Sequence, residues 1–233
     1  MGSISTRSHI RWLPDPASEP TSTLVLTSPG RRFVDVRVLK PALRDDEPKN
    51  LSPDQLDWAF GGTSESSQRD DGHGGKVAHS TFQHWVDSRA HAAEQIRDEG
   101  DMFPQPDGTT LETGKMVNPA TGVETDYEEV WKDEEPIWID GASVPCTVLQ
   151  LQDDDRGVRG MVVRLGQYCQ GVMREGDDFT AERWEWRAAR WALTARVGNG
   201  RVPCSGVANL DPQLKTGDAL DDGDYRWKIV ERT

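Results

Sequence analysis

The sequence predicts an all-β protein, and three observations carry that prediction. Short runs alternating between apolar and polar residues recur along the whole chain, with no sustained helical period. Between these runs, 22 glycines and 14 prolines supply turns at short intervals. The third observation is a long, β-favouring, weakly charged run from Arg159 to Met173, bounded by the turn residues Asp153 to Gly157 and Glu175 to Asp178, which reads as a central strand.

The elements follow in chain order. Residues 1–20, with Pro14, Pro16 and Pro20, read as a loose entry segment, with Trp12 as its anchor. Two alternating runs, Thr21 to Thr27 and Phe33 to Lys40, flank the turn signature Ser28, Pro29, Gly30. The second run sets Phe33, Asp35, Arg37 and Leu39 against Val34, Val36 and Val38, so one face is apolar and the other mostly polar. Ser52 and Pro53 start a short helical turn before a strand that opens at Leu56. Residues 64–75 are rich in Ser, Asp and Gly and read as a hairpin loop. Lys76 to Arg89 then forms a strand with Val77, His79, Thr81, Gln83 and Trp85 on one face. Ala90 to Asp98 has helix-forming composition but little apolar face and reads as a short surface helix or an ordered loop. Hairpins around Asp107-Gly108 and Asn118 to Gly122 lead into Tyr127 to Trp131.

Residues 132–136 are charged, end in Pro136 and hold nothing to bury, which sets a boundary between a first domain of residues 21–135 and a second of 136–233. The second half contains strands at Cys146 to Gln152, in the central run and at Phe179 to Val197, the last broken by a turn at Ala188-Ala189. A final strand covers Tyr225 to Glu231. Alternation in the central run sets Met161, Val163 and Leu165 against Val162, Arg164, Tyr168 and Gln170.

Composition excludes several function classes. A formal charge of -13 argues against a nucleic-acid partner, because phosphate binding needs concentrated Lys and Arg. No apolar run is long enough to span a membrane, and mean hydropathy is -0.71. Cys146, Cys169 and Cys204 are odd in number and widely spaced, which fits a reducing compartment and a cytoplasmic or nuclear protein. The start, Met1, Gly2 and so on to Thr6, matches a short myristoylation pattern that Gly-Ser cloning residues also produce. No cofactor or nucleotide motif is present, and no cofactor is expected. His79 and His84 sit five apart on one strand and therefore face opposite ways, so no metal site is expected from them. Acidic clusters at residues 45–47, 133–135, 153–155 and 221–222 lack calcium-loop spacing and read as solvated turns. Glu112, Asp126, Glu128 and Glu129 include the makings of a carboxylate pair, but sequence alone does not bring two of them to one place.

Six stretches in order carry a resemblance: Leu56 to Glu65, Phe82 to Asp87, Glu112 to Gly114, Glu129 to Trp131, Gly160 to Gly171 and Trp227 to Glu231. Together they resemble the fungal Hri-one family, named for an interaction with a fungal casein kinase I. The resemblance implies two side-by-side antiparallel β-barrels of calycin-like (lipocalin-like) character, with at most a short surface helix. It also implies a cytoplasmic or nuclear protein and a kinase partner, and it supplies no catalytic residue.

The inward residues of a small barrel either fill its core or line a ligand cavity. On the second reading, Arg164, Tyr168, Gln170, Trp184 and Trp186 line a hydrophobic cavity in the second barrel, with Arg164 orienting the ligand. On the first, the tryptophans are core and Arg164 pairs with Glu182 or Glu185. Three function classes stay open. They are a barrel that binds a hydrophobic small molecule, a protein partner or both; a cofactor-independent cyclase or isomerase of a polyene or terpenoid; and a casein-kinase-I partner with no ligand.

Overall fold

The prolines that suggested a loose N-terminal segment fall after its first strand, not within it. In the computed structural model, which describes residues 2–40, 50–72, 74–139 and 146–233, β1 (Ser3–Trp12) is a member of the first sheet. Asp45, Asp46, Glu47 and His73 lie outside the described residues. With β1 stand β2 (Thr21–Thr27), β3 (Arg32–Leu39), β5 (Leu56–Asp70), β6 (Lys76–Asp87), β7 (Arg97–Pro104), β8 (Thr110–Val117) and β9 (Glu124–Glu134). Each pairs antiparallel with the next, and β9 returns to β1 to close the barrel. Closure leaves no unpaired edge, which is how a small antiparallel sheet protects its backbone polar groups. Ala90 to Asp98 forms a single 3-10 turn at Ala93–Gln95 and then enters β7, because the stretch lacks an apolar stripe to hold a longer helix.

The second half is an eight-stranded sheet: β10 (Cys146–Asp153), β11 (Val158–Leu165), β12 (Tyr168–Glu175), β13 (Asp178–Arg187), β14 (Arg190–Val197), β15 (Ala219–Asp222), β16 (Tyr225–Arg232) and, from the first half, β4 (Asn50–Leu51). Its order runs β15-β16-β10-β11-β12-β13-β14-β4, and its ends are the two shortest strands. Closure into a barrel is therefore a property of the first sheet.

The central run is not one strand. Gly166, at φ 53°, turns the chain so that Leu165 pairs with Tyr168, Val163 with Gln170 and Met161 with Val172. Cross-strand partners share a face, so Tyr168 and Gln170 lie with Leu165 and Val163 and not opposite them. The two-residue turn inverts the parity that reading straight through it implies. The Ala188-Ala189 turn, by contrast, falls where the sequence placed it, with φ of 49° and 61°.

This arrangement decides where the main core lies. Val34, Val36 and Val38 of β3, with Leu24, Leu26 and Ile4, point out of the barrel and pack against Val148, Met161, Val163, Leu165 and Val172 of the second sheet. Each fully buried aliphatic side chain of this kind contributes about 1.5–3 kcal/mol. The other face of the second sheet has its own core. There Leu149, Val162, Cys169, Trp227 and Ile229 are closed over by α1 (Cys204–Ala208) and by Leu210, Leu214 and Leu220. No described helix is long and apolar enough to cross a membrane.

Candidate functional site

With the valines of β3 turned outward, its polar face must enter the barrel. Phe33, Asp35 and Arg37 do so, joined by inward residues from all the other barrel strands around one cavity of about 220 Å³. Val25, Phe33, Phe60, Phe82, Met102 and Met116 form an apolar wall. Asp35, Arg37, Glu112, Tyr127, Glu129 and Trp131 form a polar floor, and serines from β1, β5 and β6 (Ser3, Ser5, Ser64, Ser66 and Ser80) also line the cavity.

The floor is a buried ion network. Arg7 donates to Glu19 at 2.9 Å, to Thr21 at 2.9 Å and to Glu129. Arg37 donates Nε to Asp35 Oδ2 at 2.9 Å and Nη1 to Glu129 at 3.4 Å, and its guanidinium lies 5.1 Å from the Trp58 ring centroid. Among the described residues, Asp35 Oδ1 is buried with no hydrogen-bond partner. Burial raises the Asp35 carboxyl above its ordinary range, and Arg37 opposes the shift without cancelling it.

Glu112 faces Glu129 directly across β8 and β9. The carboxylate pair that sequence left unassigned is therefore these two, while Glu128 and Asp126 face outward toward Arg11 and Lys115. Glu112 accepts hydrogen bonds from Tyr127 Oη and Trp131 Nε1, both at 2.9 Å. Burial, then repulsion from Glu129, pushes its carboxyl up to about 7 against the pull of those two donors and Arg37. Two glycines make the space for this pair. Gly100 and Gly114 are cross-strand partners, and a Cβ on either would come within 2.6 Å of the Glu112 carboxylate or the Tyr127 hydroxyl respectively.

Behind the wall, His84 stacks on Phe60 at 4.3 Å between ring centroids, with Nδ1 2.7 Å from Asp87 and Nε2 3.1 Å from Asp98. Burial disfavours its charge, but the two carboxylates outweigh burial and raise its pKa. Trp58 completes the chain by donating Nε1 to Asp87. His79 is on the outer face, 2.9 Å from Asp101, so the two histidines are indeed apart. Among the described residues no group of three His, Cys, Asp or Glu is placed to hold a metal ion.

The five residues assigned by sequence to a cavity are divided between the two faces of the second sheet. Tyr168 and Gln170 are on the face toward the barrel: Tyr168 donates to Glu134 at 3.2 Å, and Gln170, wholly buried, donates to the Leu24 and Val34 carbonyls. Trp184 lies on the opposite face against the second core, with Nε1 on Glu182 at 2.7 Å. Trp186 packs edge-on against Trp191, and Arg164 lies 5.3 Å from the ring centroid of that same Trp191. Glu182 pairs with Arg196 and Glu185 with Arg187. The lumen of the first barrel was missed as a site, although the mixed aromatic and charged face of β3 and the alternation Tyr127, Glu129, Trp131 were its signals.

A family model described as "Protein HRI1" matches residues 3–231. The chain belongs to the HRI1 family. A crystal structure of an uncharacterized protein from Saccharomyces cerevisiae, YLR301w, superposes with a TM-score of 0.73 at 17% identity, covering 100% of this chain and 99% of the yeast chain. At that identity the likeness shows a shared fold. No curated protein matches. Membership of the HRI1 family, and an all-β fold with a closed antiparallel barrel beside a second sheet, agree with the resemblance read from the six stretches.

Proposed function

We propose that this HRI1-family chain is a binding protein whose first barrel takes a small, largely apolar molecule into its lumen. The observation that supports this reading is the cavity of about 220 Å³ between an aromatic wall and a buried polar floor. A lumen serving only as core would be filled with apolar side chains, as the far face of the second sheet is. This one keeps space beside buried carboxylates, which cost stability unless something beyond packing retains them. Native mass spectrometry of the protein purified from its own host tests the reading. A bound small-molecule mass is expected in the wild type and should be lost on Phe82→Trp, which fills the lumen. A mass retained by Phe82→Trp would place the ligand elsewhere, and an empty wild-type protein would remove the reading.

A protein partner is the second reading, favoured by Ile137 and Trp138, adjacent apolar residues that are 48% and 64% exposed. Affinity purification from the host should lose such a partner on Trp138→Ala while the lumen ligand stays bound.

A further inference from the structure

The lumen floor holds more carboxylates than cations. Its ion network joins two guanidinium groups, Arg37 lining the lumen and Arg7 behind it, to Glu19, Asp35 and Glu129, with Glu112 facing Glu129. Arg7 is fully engaged by Glu19, Thr21 and Glu129, and Arg37 by Asp35 and Glu129. Glu112 therefore receives only neutral donors, the Tyr127 hydroxyl and the Trp131 indole. Asp35 Oδ1, buried on the same floor, receives no hydrogen bond from any described residue. Both carboxylates line the cavity, and Phe33, Phe60 and Phe82 line it with them.

Resting on the lumen-binding reading above, we propose that the ligand is an aromatic amine, its protonated nitrogen seated on Glu112 and Asp35 and its ring against the three phenylalanines. A cation gives Asp35 Oδ1 the donor it lacks and gives Glu112 a charged one, and a charge-assisted hydrogen bond is about twice as strong as a neutral one. Phenylalanine faces add attraction for a cation within about 6 Å. An anionic ligand would meet the net negative floor, and a neutral one would leave Asp35 Oδ1 unmatched. Size sets the rest: since benzene occupies an engineered cavity of about 150 Å³, this lumen suits one or two rings with a short arm.

Three probes of one shape separate the possibilities by isothermal titration calorimetry: 2-phenylethylamine, 2-phenylethanol and 3-phenylpropionate. The amine is expected to bind about tenfold or more tighter than the alcohol, the scale of one charge-assisted hydrogen bond, and the acid to give no heat. Glu112→Gln should bring the amine-to-alcohol affinity ratio down to about one; Asp35→Asn gives the same readout if Glu112→Gln fails to fold. Equal binding of amine and alcohol by the wild type overturns the amine assignment and leaves the lumen reading standing. Preferential binding of the acid overturns it likewise. An amine preference that survives both substitutions removes the floor as the seat of the nitrogen. No heat from any probe overturns this proposal and leaves the lumen reading to be decided by the native mass spectra of the wild type and Phe82→Trp.

Discussion

Arg183 donates its Nε to Oε1 of Gln170 at 2.9 Å, and from that joined position both side chains reach across from the second sheet to the barrel. Gln170 donates to the main-chain carbonyls of Leu24 and Val34, and Arg183 to those of Ser22 and Val36 and to the Ser22 hydroxyl. Arg174 does the same a little further along, on Asp87 and Ser88. The two sheets are thus joined by an apolar core that carries a polar seam. Burial lowers Arg183 to about 10 because its hydrogen-bond partners are neutral.

Gln170→Leu should lower unfolding stability by about 2–4 kcal/mol. The substitution keeps volume but strands the buried Arg183 guanidinium, whose desolvation then loses part of its compensation. Urea denaturation measures it. A loss below about 1 kcal/mol would mean the seam is not a determinant of stability.

Arg37→Met should be more costly, at about 3–5 kcal/mol, since it removes the guanidinium paired with Asp35 and leaves Glu129 in contact with Arg7 alone among the described residues. Adding Asp35→Asn should recover part of the loss, by removing the charge that was stranded. If the double variant is as unstable as the sum of the two single ones, the pairing is not what holds this part of the lumen.

Much of the fold could be read in the chain, and the site could not, for physical reasons that particular residues make clear. Alternation in β3 correctly separated Phe33, Asp35 and Arg37 from the valines, but it does not say which face enters the barrel. Both faces are buried, and the polar one is tolerated only because Glu129 arrives from β9 to meet Arg37 and Arg7. Periodicity carries no information about a partner 92 residues away. Tyr168 and Gln170 were placed on the wrong face because a turn at Gly166-Gln167, two residues long, changes parity without breaking the run of β-favouring residues. The N-terminal strand was hidden by prolines that follow it.

The pH dependence of stability should carry the signature of Glu112. Its carboxyl titrates at about 7 in the folded protein, above its ordinary value of 4.5, so the folded state holds the proton more tightly than the unfolded chain. The stability this contributes is fully present below 4.5 and is lost as pH rises through about 7. Glu129, Arg37, Tyr127 and Trp131 face this carboxyl, and the Glu129 charge adds to the shift. His84, also raised, loses stability in the same direction, so the comparison that isolates Glu112 is wild type against Glu112→Gln. Between pH 5 and 8 the wild type should lose roughly 2–3 kcal/mol more than the variant. Parallel stability curves would show that Glu112 is ionised throughout.

Gly114→Ala tests the same carboxyl without touching it. The added methyl would lie 2.6 Å from the Tyr127 hydroxyl and 2.7 Å from its ring carbons, and a ring packed in the lumen cannot yield as the end of a flexible chain can. Tyr127 must therefore swing away, and Glu112 loses the hydroxyl it accepts from at 2.9 Å. That hydrogen bond favours the ionised carboxylate, while burial and Glu129 oppose ionisation. With the bond gone and the burial kept, the Glu112 titration should move upward from about 7, at a cost of about 1–3 kcal/mol in stability. Carbon-13 shifts of the glutamate carboxyls followed against pH read the first effect, and urea denaturation the second. A Glu112 titration that stays in place in a folded Gly114→Ala variant would show that Tyr127 does not set its charge.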